Sequence, residues 1–119
     1  MRFALLALLL LLAACTRADA PPETLAERLA APEAQVVDVR TSAEFNAGHL
    51  VGARHANLLD GSFEQLIPSL DPERPVYVYC GTGQRSERAA AMLRERGFQN
   101  VTNAGSFSAL ARAGAPVAP

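Results

Sequence analysis

Cys80 stands where one periodicity gives way to another. The residues before it, Val76-Tyr77-Val78-Tyr79, read as a buried strand, and those from Ser86 onward read as a helix. Between them lies Gly81-Thr82-Gly83-Gln84-Arg85. A thiol at the start of a helix meets unpaired backbone N–H groups and the positive end of the helix dipole, and both favour a thiolate. If residues 81–85 curl around the sulfur, their N–H groups form a nest for an anion. Gly81 and Gly83 permit backbone angles that other residues resist. Arg85 offers a planar fork of donors to an oxyanion. The chemistry this combination supports is nucleophilic attack by Cys80 on an anionic substrate, with a covalent intermediate held by the turn. Cys80 is thus the candidate nucleophile, and Gly81, Thr82, Gly83, Gln84 and Arg85 are the candidate substrate-binding residues.

The size of the turn narrows the chemistry. Four residues separate Cys80 from Arg85. Cysteine-dependent phosphatases make room for a tetrahedral phosphate and typically place one residue more there. The smaller ring suits a persulfide, in which a single extra sulfur sits on the cysteine. The turn also lacks an acidic residue to protonate a leaving group. Sulfur chemistry is therefore the expectation, with phosphate or arsenate chemistry as the runner-up. A plain core cysteine would suit the strand, but not the Gly-Thr-Gly-Gln-Arg that follows. His49 and His55 are the only histidines, too few for a convincing metal site, so neither a metal nor another cofactor is expected.

The chain has 119 residues, enough for one domain. Its net charge is −1, which gives no reason to expect a nucleic-acid partner. All eleven basic residues are arginines, so lysine Schiff-base chemistry is excluded. Residues 3–14 are an unbroken apolar run, too short for a typical spanning helix and of signal-peptide length. Leu12-Ala13-Ala14-Cys15 ends that run and resembles a bacterial lipobox, in which the cysteine is lipidated and becomes the new N-terminus. Residues 1–14 are then a signal peptide, 15–21 a tether lipidated at Cys15, and 22–119 the folded domain. Ala18-Asp19-Ala20 offers a competing cleavage site that would leave a soluble exported protein, although Pro21 after the cut counts against it. The expected location is the bacterial cell envelope facing the periplasm, with the membrane reached only through the lipid. Cys15–Cys80 is the only disulfide the chain can form, and lipidation or cleavage at Cys15 leaves Cys80 alone.

Several elements must position the Cys80 turn. Pro21-Pro22 can open a helix carrying Leu25, Ala26, Leu29 and Ala30 on one face and ending at Pro32. Val36-Val37-Asp38-Val39 reads as a strand, and residues 42–47 as a helical turn capped by Thr41 or Ser42. Residues 51–57 read as a weak strand and 58–70 as holding a helix from Ser62. Residues 86–96 form the clearest helix, with Gly97 as its left-handed cap and Phe98 folding back. A short strand over 100–103 and a helix over 106–113 complete the chain. Strands alternating with helices predict an α/β domain, a parallel sheet of four or five strands with helices on both faces. Ligands bind beyond the carboxyl ends of such strands. Arg40, Cys80 and Asn103-Ala104-Gly105 fall at three of those ends.

With these segments in order, the chain resembles a single-domain rhodanese, a family of thiosulfate sulfurtransferases, and within it the small periplasmic phage-shock-type members. The matching residues are Asp38-Val39-Arg40 with Glu44-Phe45, Gly48-His49-Leu50 with Gly52-Ala53, the turn from Cys80 through Ser86, and Gly97-Phe98 with Val101 and Asn103-Ala104-Gly105. They extend over about residues 23–117. The resemblance implies that Cys80 takes a sulfane sulfur from thiosulfate or a similar donor, releases sulfite, and passes the sulfur to cyanide or a thiol acceptor. It also implies that the 81–85 backbone holds the transferred sulfur, that Arg85 helps form the pocket, and that Asp38, Arg40, Glu44 and His49 are mostly framework. Ser106 and Leu110 depart from the family's usual Gly and Trp, and the turn lacks the basic residues of some thiosulfate-using members. A carrier that loads Cys80 without efficient turnover is the alternative. With one thiol in the body of the domain, any resolving thiol or reductant comes from outside.

Overall fold

The structure is a computed structural model that describes residues 23–119. The expected signal segment, Cys15 and Pro21-Pro22 lie outside the described residues. The first element is α1 (Leu25–Ala30), opened by a capping box in which Thr24 and Glu27 bond each other's backbone N–H. Then come β1 (Gln35–Asp38), α2 (Ser42–Asn46), β2 (His49–Leu50), β3 (Arg54–His55) and α3 (Ser62–Leu66). A single 3₁₀ turn (Ile67–Ser69) follows. The second half holds β4 (Val76–Cys80), α4 (Gln84–Glu95), β5 (Val101–Ser106), α5 (Phe107–Arg112) and β6 (Val117–Ala118).

Four strands form one parallel sheet in the order β3-β1-β4-β5. The expected α/β sheet is therefore present, with four strands among the described residues. β4 is central and buried along its whole length. Its side chains alternate between faces, as a strand requires. Val76, Val78 and Cys80 pack with Phe63, Ala89, Ala90, Leu93 and Phe98 on the face covered by α3 and α4. Tyr77 and Tyr79 pack with Leu50 and Leu110 on the other face, beneath α1 and α5. The parity of β4 thus sends the Cys80 side chain toward α4.

Several boundaries differ from the sequence reading, beginning with α1, which opens at Leu25 behind the Thr24 cap rather than at Pro21-Pro22. The stretch expected as one weak strand over 51–57 is not continuous. It opens with a turn holding Gly52 at φ 80°, so only Arg54–His55 (β3) remains to join the main sheet, and the separate β2 at His49–Leu50 lies before the expected strand. β2 pairs antiparallel with β6, a C-terminal strand too short to leave a periodic signal. The helix expected from Ser86 begins at Gln84, with Gly83 as its N-cap at φ 95°, which places Arg85 and Ser86 in the first helical turn. β5 runs on to Ser106 rather than stopping at Asn103, because a bulge sets Asn103 opposite Val78 and Gly105 opposite Tyr79, leaving Ala104 unpaired. Gly97 does take the left-handed cap, at φ 91°, and Phe98 is buried against the helix it follows.

Candidate active site

The turn after β4 wraps the Cys80 sulfur. The Gly83 N–H donates to Sγ at 3.0 Å and the Ser86 N–H at 3.4 Å, while Ser86 Oγ lies 3.3 Å away. Gly83 has no side chain to cap α4, and the sulfur accepts the Ser86 N–H that a capping oxygen would otherwise take. Cys80 is fully buried, at the floor of a turn in which Thr82 and Gln84 are exposed. Burial pushes the thiol up. Hydrogen bonding at the sulfur, above all at Ser86 and then from the Gly83 N–H, outweighs it and holds the group below the ordinary thiol range. Of the residues 81–85 expected to form a nest, Gly83 is the one whose N–H bonds the sulfur, and the Ser86 N–H joins it from the next position.

The arginine does something other than the sequence suggests. Its fork is closed on Glu44, with Nη1 donating to Oε1 at 2.8 Å and Nη2 to Oε2 at 3.0 Å. Arg85 therefore presents its donors to a carboxylate of α2 rather than to an open oxyanion site. Glu44 is held three ways: Arg85 faces it, and the Thr41 N–H and hydroxyl donate to Oε1 at 3.3 and 3.0 Å. The Arg85 bond is the largest influence, burial opposes it, and the carboxyl falls to about 2. Gly81 does not take a left-handed angle as Gly83 does, but it lies close against this pair. A methyl group there would meet Arg85 Nη2 at 3.0 Å and Glu44 Oε2 at 3.3 Å. The spacing of 41 residues between the pair hides it from local pattern reading.

Arg40 lies buried at the end of β1 and serves the framework. Its guanidinium bonds both Asp38 oxygens, at 3.0 and 2.7 Å, and the Gly48 carbonyl at 2.7 Å. It also lies over the Phe107 ring, 4.3 Å from the centroid. His49 and His55 both stack with Phe45 and contact the carbonyls of Phe45 and Arg40 respectively. No group of metal-binding side chains occurs among the described residues. A cavity of about 300 Å³ lies away from Cys80, between α1 and the C-terminal segment. Its walls include Ala26, Leu29, Leu50 and Pro116, which carry no reactive group.

Two residues were not singled out as site residues from the sequence. Ser86 contacts the sulfur through both its hydroxyl and its N–H. Asn103 receives the Ser86 hydroxyl at 2.7 Å and donates to the Gly83 carbonyl at 3.0 Å. The helix start at Gln84 would have flagged Ser86. The β5 bulge that aims Asn103 leaves no mark in the pattern.

Residues 21–113 match the model of the rhodanese-like domain family. A thiosulfate sulfurtransferase, GlpE, of Pseudomonas putida is 40% identical over 81 residues, covering 68% of this chain and 72% of that protein. The uncharacterized protein YqhL of Bacillus subtilis is 39% identical over 71 residues; the match spans only 55% of its length. Among solved structures, the Alr3790 protein of Anabaena sp. superposes with a TM-score of 0.69 at 29% identity, covering 79% of this chain and 86% of that one. A rhodanese from E. coli described with anions gives 0.63 at 28% identity, covering 71% and 96%.

Proposed function

The chain belongs to the rhodanese-like domain family, and from that premise we propose that it is a sulfurtransferase whose Cys80 carries the transferred sulfur as a persulfide. The observation that carries this reading is the Cys80 sulfur held at the N-terminus of α4 by the Gly83 and Ser86 N–H groups. In the first step the Cys80 thiolate attacks the sulfane sulfur of a donor such as thiosulfate. The donor's S–S bond breaks, and its electron pair leaves with sulfite. In the second step cyanide or a thiolate attacks the outer sulfur of the persulfide. Thiocyanate or a new persulfide departs, and the Cys80 thiolate returns. No net oxidation occurs. The N–H groups that face the thiolate are suited to stabilise the anionic persulfide.

The charges beside the turn are already paired, Arg85 with Glu44 and Arg40 with Asp38. A weakly charged persulfide or polysulfide therefore suits the site as well as the thiosulfate dianion does. That pairing also favours a second reading, a carrier that loads Cys80 and delivers to one dedicated acceptor. Cys80 is the free cysteine of the described residues, so the acceptor or reductant is an external thiol. We further propose export to the cell envelope with Cys15 lipidated, a reading supported by the sequence alone; detergent-phase partitioning that is lost in Cys15→Ala would support it, and unchanged partitioning would count against it.

The test is thiocyanate formation from thiosulfate and cyanide, beside Cys80→Ser. Turnover lost in the variant is the expected result. A single stoichiometric transfer would favour the carrier. Activity retained in Cys80→Ser would defeat both.

A further inference from the structure

A hydrogen-bonded chain runs from β5 to the Cys80 sulfur. Asn103 uses all four bonds its amide can make. Its Oδ1 accepts the Ser86 hydroxyl at 2.7 Å and the Gly105 N–H at 3.0 Å. Its Nδ2 donates to the Gly83 carbonyl at 3.0 Å and to Glu87 Oε2 at 3.1 Å. Turning the amide over would set N–H against N–H at Gly105, and oxygen against oxygen at Gly83 and Glu87. One orientation survives.

That orientation settles where the Ser86 proton lies. A hydroxyl has one proton to give, and here it points to Asn103. Ser86 Oγ therefore turns lone pairs toward Sγ, 3.3 Å away. A protonated Cys80 donates into that lone pair. An ionised Cys80 gains from Ser86 only if the hydroxyl swings its proton away from Asn103. We propose that Asn103 is a positioning residue for Cys80, competing with the sulfur for the single proton of Ser86 and so governing how readily the thiol ionises.

The charged groups around the turn are Arg85 and Glu87 of α4, Glu44 of α2, and Asp38 with Arg40 at the end of β1. His55 lies against the Arg40 carbonyl, and β5 carries no ionisable side chain. None of these groups changes in the variants below. The inference rests on Cys80 being the reactive thiol of the proposed function. Its readout is alkylation and needs no sulfur transfer, so the two readings fail separately.

The test is the pH dependence of iodoacetamide alkylation, read on the Cys80 peptide by mass in the full chain. It compares the unchanged protein with Asn103→Ala, Ser86→Ala and the double variant, each checked for folding by circular dichroism. Asn103→Leu replaces the alanine variant if that one does not fold. Freeing the Ser86 hydroxyl to serve the thiolate lowers the midpoint and raises the rate below it about three- to tenfold, the size of an ordinary net hydrogen bond. In the Ser86→Ala background the same Asn103 change leaves the midpoint in place. A raised midpoint, or an equal shift in both backgrounds, would overturn the proposal and leave Asn103 as a brace for Gly83 and Gly105.

Discussion

Cys80 is surrounded by backbone donors rather than by charge. Its neighbours within hydrogen-bond reach are the N–H groups of Gly83 and Ser86 and the Ser86 hydroxyl, while the nearby Arg85 is tied to Glu44. Gly83 matters most, because it holds φ 95° and aims its N–H at the sulfur. Gly83→Ala strains that angle by about 1–2 kcal/mol and turns the N–H away. The expected outcome is a Cys80 thiol shifted upward and alkylated more slowly at neutral pH; an unchanged rate profile would show that this N–H is dispensable. Glu44 supplies a prediction with a sign. Its folded value of about 2 lies below the ordinary 4.5, so its contribution to stability is fully present above about pH 4.5 and is lost as pH falls toward 2. Urea-unfolding midpoints of the unchanged protein should therefore fall more steeply across that window than those of Glu44→Gln. The side chain is 36% exposed, so the difference is small. Parallel curves would contradict the assignment.

At the scale of the element, each helix near the site begins with a device that also serves it. The Thr41–Glu44 capping box starts α2 and holds the carboxylate that meets Arg85. Thr41→Ala should cost about 1 kcal/mol in thermal or chemical unfolding, and no loss would mean the cap is redundant. The start of α4 is capped by the Cys80 sulfur itself. Much of this was legible in the sequence. The apolar run at 76–79, the glycines at 81 and 83, and the cap at Gly97 each have a local physical signature. What was not legible depends on distant partners. Arg85 reads as a free anion fork until Glu44 is seen beside it, and His49–Leu50 gives no strand signal until β6 is seen to pair with it. Asn103 could be placed at a strand end, but only the bulge opposite Val78 and Tyr79 explains its aim at Ser86.

Across the whole domain, one sheet separates two apolar layers, and the site sits where its central strand ends. The Asp38–Arg40 pair fastens the end of β1 to Gly48 and to the rings of Tyr79 and Phe107. Both partners are buried, so removing one leaves an uncompensated charge. Asp38→Ala should therefore lower stability by about 3–5 kcal/mol, measured by urea unfolding, and a loss under about 1 kcal/mol would contradict that role. The central claim, that Cys80 carries a transferable sulfur, is tested most directly by the intact mass of the purified protein after incubation with thiosulfate or polysulfide, beside Cys80→Ser. The account predicts a gain of one sulfur on Cys80, absent in the variant and removed by cyanide. A folded protein that gains no sulfur, or gains it equally in Cys80→Ser, would contradict it.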